Sequence, residues 1–205
     1  MIYLNQLGMI SPLGATLDET RQRLLESAQS GVLPTDRYSP GRTLPLGSID
    51  PTISLPVVDH WPLPMRSRNN QLALAALGRI LPAVRSCIER FGNERVGVII
   101  GTSTSGIAES EMALREYAVT GALPQRFHYG QQELASPAAI LAETLGVTGP
   151  AYVHSSACAS SAKALASAAR LIPRSDRSCR HPLSPSASSR PKASPADAAV
   201  SSPVR

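Results

Sequence analysis

The sequence predicts a layered α/β fold. Strand-like and helix-like patterns alternate over the first 172 residues, as they do where strands are separated by packed helices. The run Arg95-Val-Gly-Val-Ile-Ile100 is apolar without alternation, which suits a strand covered on both faces in a parallel sheet. Capping residues and glycines mark the ends of several intervening helices.

Taken in order, Met1–Gln6 reads as a strand, followed by the loop Gly8-Met-Ile-Ser-Pro-Leu-Gly14. Thr16 with Glu19 three residues later forms a capping box, so a helix is expected over Leu17–Ser30, ending at Gly31. Residues 32–66 are proline-rich with little periodicity and read as an irregular surface excursion. Ser67–Arg90 predicts a long Leu/Ala-rich helix with a kink or break at Pro82 and an end near Gly92. The strand Arg95–Ile100 comes next, then a helix over Ile107–Val119. Ser136 and Pro137 supply an N-cap and an N1 proline for a helix that stops before Gly146. Ala151–His154 is the next strand and Cys158–Ile172 the next helix.

Composition changes abruptly at Pro173. The last 33 residues hold nine Ser, six Pro, no aromatics, and only Leu183, Val200 and Val204 as large aliphatics. Such a segment buries too little apolar surface to offset its ordering entropy, so disorder is expected over 173–205. The net charge of +5 is concentrated there: six Lys/Arg face Asp176 and Asp197, whereas the first 172 residues carry 14 Lys/Arg against 13 Asp/Glu. The tail's cations are dispersed among Ser and Pro without aromatics for stacking, which argues against a nucleic-acid arm.

Three cysteines, Cys87, Cys158 and Cys179, are widely spaced, with no C-x-x-C pair and no disulfide framework. The N-terminus lacks the basic and continuous apolar regions of a signal peptide, and no run of 18 apolar residues occurs. A reducing cytoplasmic location is the expectation. The loop Gly101-Thr-Ser-Thr-Ser-Gly106 follows a strand and precedes a helix, but it ends in Gly-Ile-Ala, without the Gly-Lys-Ser/Thr of a phosphate loop. It reads as a tight turn. No metal site and no nucleotide fingerprint is evident, so no cofactor is expected.

Cys158 carries the strongest functional signal. In Ala151-Tyr-Val-His-Ser-Ser-Ala-Cys-Ala-Ser-Ser-Ala-Lys-Ala-Leu165, a strand runs straight into a helix. Unpaired N–H groups and partial positive charge at a helix start favour a thiolate, which makes this cysteine a candidate nucleophile. Small neighbours let backbone and substrate approach. On pattern alone, an inert cysteine packed in an Ala-rich helix fits equally well. His154, four residues earlier, invites a Cys–His pair, although a strand side chain directed to one sheet face is the plainer reading.

The segment Ser155-Ser-Ala-Cys-Ala-Ser-Ser-Ala162 resembles the active-site segment of the β-ketoacyl-acyl-carrier-protein synthases, condensing enzymes of the thiolase-like superfamily. Three further stretches are similar to family signatures in the family's order: Leu7-Gly-Met-Ile-Ser-Pro-Leu-Gly14, Ser67-Arg-Asn-Asn-Gln-Leu-Ala-Leu-Ala-Ala-Leu77, and Arg95-Val-Gly-Val-Ile-Ile-Gly-Thr-Ser-Thr-Ser-Gly106. The resemblance implies the N-terminal half of a layered thiolase-like fold over residues 1–172, with a mixed sheet and buried helices.

It also implies that Cys158 faces an acyl-sized cleft and accepts an acyl group from a carrier-protein thioester, with its backbone N–H in the oxyanion hole. The acyl group then passes to a carbanion formed by decarboxylating malonyl-carrier protein, in fatty acid or polyketide synthesis. The implied partners are acyl carrier protein and acyl thioesters, with a homodimer when complete, and neither nucleic acid nor membrane.

In the family, two histidines, a lysine and the second oxyanion donor lie in the second half of the fold. His60, His128, His154 and His181 do not lie in those histidine motifs, and Lys163 has no catalytic counterpart. Where the family continues with a strand and a Gly-Gly turn, this chain reads Pro173-Arg-Ser-Asp-Arg-Ser-Cys-Arg-His-Pro182. The expectation is therefore a half-synthase with an out-of-frame tail from a shift near codon 172, weakly active or inactive alone. The competing class is a non-catalytic partner subunit that shapes an acyl pocket, against which the retained Cys158 argues. A nonfunctional remnant with an exposed apolar face is the third reading.

Overall fold

The computed structural model describes residues 2–26 and 31–172. The expected disordered tail over 173–205, with Cys179 and His181, lies outside the described residues, as do residues 27–30 at the expected end of the first helix. Five helices are described: α1 (Leu17–Glu26), α2 (Arg68–Phe91), α3 (Ile107–Thr120), α4 (Ser136–Leu145) and α5 (Ser160–Leu171). Four strands accompany them: β1 (Val32–Thr35), β2 (Leu44–Gly47), β3 (Val98–Gly101) and β4 (Ala151–His154).

β3 and β4 pair in parallel, with Val98 opposite Ala151 and Gly101 opposite His154. Side chains alternate between the two faces of this sheet. On one face Val98, Ile100 and Val153 pack with α4 and α2 in a core built on Val58, Ala138, Ile140, Leu141 and Val147. Ile140 is fully buried. The other face is crossed by α5, where the Tyr152 hydroxyl meets Ser167 Oγ at 2.5 Å. The layered α/β class is as expected. Of β3, only Val98 is buried outright and Ile99 and Ile100 are half-buried, so the strand is less enclosed than its composition suggested.

Local signals account for most helix ends. The Ser67 hydroxyl accepts from the Asn70 N–H at 3.2 Å and caps α2, which stops at Gly92 in a positive-φ conformation. Thr16 Oγ1 accepts from the Glu19 N–H, but the Glu19 carboxylate accepts from the Ala15 N–H at 2.8 Å, one residue outside the expected reciprocal box. That bond holds the Glu19 carboxyl below its usual range.

Several expectations are corrected. Residues 2–10 form no strand; Ile2, Tyr3, Leu4 and Leu7 are exposed, and no described strand offers them a ladder. The excursion 32–66 contains the antiparallel β1–β2 ribbon, with Pro34 opposite Pro45. Opposed residues alternate between hydrogen-bonded and non-bonded pairs, and two prolines can face one another only in the second kind. α2 runs through Pro82 without a break. Ser136 is the first residue of α4 rather than its cap, and its hydroxyl accepts instead from Asn70 Nδ2 at 2.7 Å. β3 begins at Val98, because Asn93–Arg95 form a 3-10 turn.

α2 is long and apolar enough to cross a membrane by length and composition, with a mean hydropathy of 1.3. Its Ala73, Leu74 and Leu77 pack against the core cluster, and the fully buried Asn70 ties it to α4 and to the Met65 carbonyl. These contacts hold one face of α2 against the core, while Asn70 is the one residue along it that is buried outright.

Candidate functional site

Cys158 follows the C-terminal end of β4, in the 3-10 turn Ala157–Ala159 that leads into α5. The helix thus starts two residues later than expected, at Ser160, since Ala157 departs from helical geometry. Ala157 has φ of +46°, the sole positive φ of any non-glycine among the described residues. An L-residue held there is strained, and such strain concentrates at functional sites. Cys158 itself is exposed, neither packed in hydrocarbon nor within the helix.

Three side-chain hydrogen bonds converge on this turn. Ser160 Oγ accepts from the Ser156 N–H at 2.9 Å and donates to the Ala157 carbonyl at 2.7 Å. Lys163, one turn further along α5, donates from Nζ to Ser156 Oγ at 2.7 Å. Beneath them α5 lies against β3 so closely that a Cβ on Gly101 would sit 2.5 Å from the Ser160 carbonyl carbon and oxygen. Glycine is required at 101 for this approach, not for a special φ.

The loop 102–106 flanks the same edge of the sheet. The Thr102 N–H donates to the His154 carbonyl at 3.1 Å, extending the ladder past β3, and Thr102 Oγ1 accepts from the Thr104 N–H. Asn69 Nδ2 donates to the Thr104 carbonyl, and the Arg68 N–H to Glu109 Oε1 at 2.7 Å, so the start of α2 clasps both loop and α3. The buried Gln131 completes the clasp: its Nε2 donates to the Arg66 carbonyl and its own carbonyl accepts from the Gly106 N–H. This is the tight turn the sequence suggested.

His154 lies on the α5 face of the sheet, with its ring edge-on to Tyr152 at 5.4 Å. Its Nε2 is buried without a hydrogen-bond partner, and among the described residues no hydrogen bond joins it to Cys158. The structure therefore does not assemble a Cys–His pair. His128 caps a 3-10 turn by accepting from the Gly130 N–H, and Cys87 is exposed on α2. Two largely apolar grooves of about 490 and 470 Å³ flank the beginning of β3, at the opposite end of the sheet. Neither includes Cys158, so the expected acyl-sized cleft in front of the sulfur is not formed by either.

Sequence reasoning missed Ser160 and Gly101. The Ser156/Ser160 spacing is a local hydroxyl-to-backbone signal that was available; the Gly101 contact links remote segments and was not.

A comparison with curated proteins finds no match. Among solved structures, the chain is similar to one in the complex of a ketosynthase (ApeO) with its chain length factor (ApeC) from Xenorhabdus doucetiae, with 38% identity and a TM-score of 0.75. That match covers 83% of this chain and 43% of the other. A β-ketoacyl synthase from Burkholderia phymatum STM815 shares the fold, with 20% identity and a TM-score of 0.62, over 80% of this chain and 41% of the other. The chain thus spans less than half the length of either solved relative. The family model described as "Beta-ketoacyl synthase, N-terminal domain" matches residues 66–179, more than half of the sequence. On that match, together with the thiolase-like layering around the turn that bears Cys158, the chain belongs to the β-ketoacyl synthase family.

Proposed function

We propose that the chain is an acyltransferase of the β-ketoacyl-acyl-carrier-protein synthase type, acting in fatty acid or polyketide synthesis in the cytoplasm, with Cys158 as acyl acceptor. The observation that carries this reading is an exposed cysteine directly after a strained left-handed residue at the head of a helix. In the loading step the Cys158 sulfur bonds to the thioester carbonyl carbon, the carbon–sulfur bond of the donor breaks, and the thiol proton ends on the departing thiol. The Cys158 N–H supplies one donor to the transient oxyanion. The donor is an acyl carrier protein, and a homodimer is the expected assembly when the fold is complete.

Decarboxylation in this family relies on a second half that the present match does not include, so the 205-residue chain alone is expected to load acyl groups but condense weakly or not at all. Incubation with an acyl thioester followed by peptide mass analysis tests the first part. An acyl adduct on Cys158, lost in Cys158→Ala, supports it; no adduct overturns it. Efficient chain elongation by the purified chain would overturn the second part.

A second reading has one supporting observation, that the 38%-identical match lies in a complex of a ketosynthase with its chain length factor. On that reading the chain is a non-catalytic partner shaping an acyl pocket. Thiol labelling discriminates: Cys158 reacting no faster than the exposed Cys87 favours the partner role.

A further inference from the structure

The turn before Cys158 is held by a hydroxyl that belongs to the next helix. Ser160 is 4% exposed, and its Oγ bonds both the Ser156 N–H and the Ala157 carbonyl, the two backbone groups on either side of the left-handed bend. Ser156 is itself displaced from regular geometry, at φ −153° and ψ 47°. A bend of this kind persists only where its surroundings over-determine it. Ser160 can do so because it is fixed in turn: it opens α5, and its carbonyl rests against the bare Cα of Gly101. Lys163 adds an exposed second tie through Ser156 Oγ. A rigid path therefore runs from β3 through Ser160 to Ala157 and Cys158.

We propose that Ser160 is a positioning residue, its hydroxyl orienting Cys158 for attack on a thioester, with Lys163 as an auxiliary tie; this rests on the acyl-acceptor reading above. The step is the loading reaction already written, with no added reactant. The role differs from thiol activation. Alkylation by a small electrophile needs only an accessible sulfur, whereas acyl transfer also needs the sulfur and the oxyanion donor aligned on one carbonyl.

The test uses the full 205-residue chain with two probes, iodoacetamide and octanoyl-N-acetylcysteamine thioester, each read at Cys158 by peptide mass, with Cys87 alkylation as internal standard. Ser160→Ala should slow octanoyl loading on the order of ten- to a hundredfold while alkylation of Cys158 relative to Cys87 changes less than about twofold. Ser160→Thr, which keeps the hydroxyl, should restore loading. Lys163→Met, at an exposed position, should slow loading severalfold with alkylation unchanged, and gives an answer if Ser160→Ala fails to fold. Undiminished loading in Ser160→Ala, an equal loss with both probes, or undiminished loading in Lys163→Met would each overturn the proposal. A wild-type chain that is alkylated but never loaded overturns the acyl-acceptor reading, and the positioning role with it.

Discussion

Replacing Ala157 with glycine should cost almost nothing, whereas the same replacement a few residues later should be expensive. Ala157 is exposed, so losing its methyl group removes no buried area. Its φ of +46° costs an L-residue roughly 1–2 kcal/mol that glycine does not incur. Against this, glycine adds about 0.5–1 kcal/mol of unfolded-state entropy, which leaves a net effect between zero and about 1.5 kcal/mol of stabilisation. Ala166 is the control: it is also exposed but lies within α5, where Ala→Gly costs about 0.8–1 kcal/mol. The two variants should therefore differ by about 1–2.5 kcal/mol, or roughly 2–10 °C in melting midpoint for a domain of this size. Thermal unfolding followed by circular dichroism gives the difference directly. If Ala157→Gly lowers the midpoint as much as Ala166→Gly, residue 157 is not left-handed, and the argument that the turn is strained falls.

Gly101→Ala should force α5 away from β3, because the new Cβ meets backbone atoms of Ser160 and Ser161 that cannot rotate aside; overpacking of this kind costs about 1–3 kcal/mol, and acyl loading of Cys158 should fall as well. Loading and stability both equal to wild type would refute the close approach. Ile140→Ala should destabilise by about 2–5 kcal/mol, since a fully buried side chain at the junction of α4 with the core leaves a cavity; a loss below about 1 kcal/mol in chemical denaturation would show that the core is looser than described. The Glu19 carboxyl is lowered chiefly by the Ala15 N–H, so its contribution is present above the ordinary carboxylate value of 4.5 and is lost as pH falls through the lower folded value. Glu19→Gln should flatten that acid limb, and an unchanged pH profile would count against the bond.

The parts legible in the sequence are those whose causes lie within a turn or two of chain. Ser67 and Gly92 bound α2 because a hydroxyl cap and a positive-φ stop act on adjacent backbone groups. β4 lies where a strand was read, and Cys158 was singled out by its place after that strand and by four short segments in family order. The N-terminal run resembles a strand in composition, yet a strand exists only if another edge accepts its hydrogen bonds, and none does among the described residues. Pro34 and Pro45 look like strand breakers until one faces the other across a ribbon.

At the site the division is sharper. The order of residues was enough to put a cysteine between a strand and a helix. Only the tertiary structure decided that Ala157 bends left-handed, that Ser160 and Lys163 hold the bend, and that Gly101 lies beneath it. The first depends on covalent neighbours and local propensity. The Ser160 and Lys163 ties act within about two turns of chain, but they form only once the backbone has taken this bend. The approach of Gly101 to α5 joins segments far apart in sequence, which no local pattern encodes.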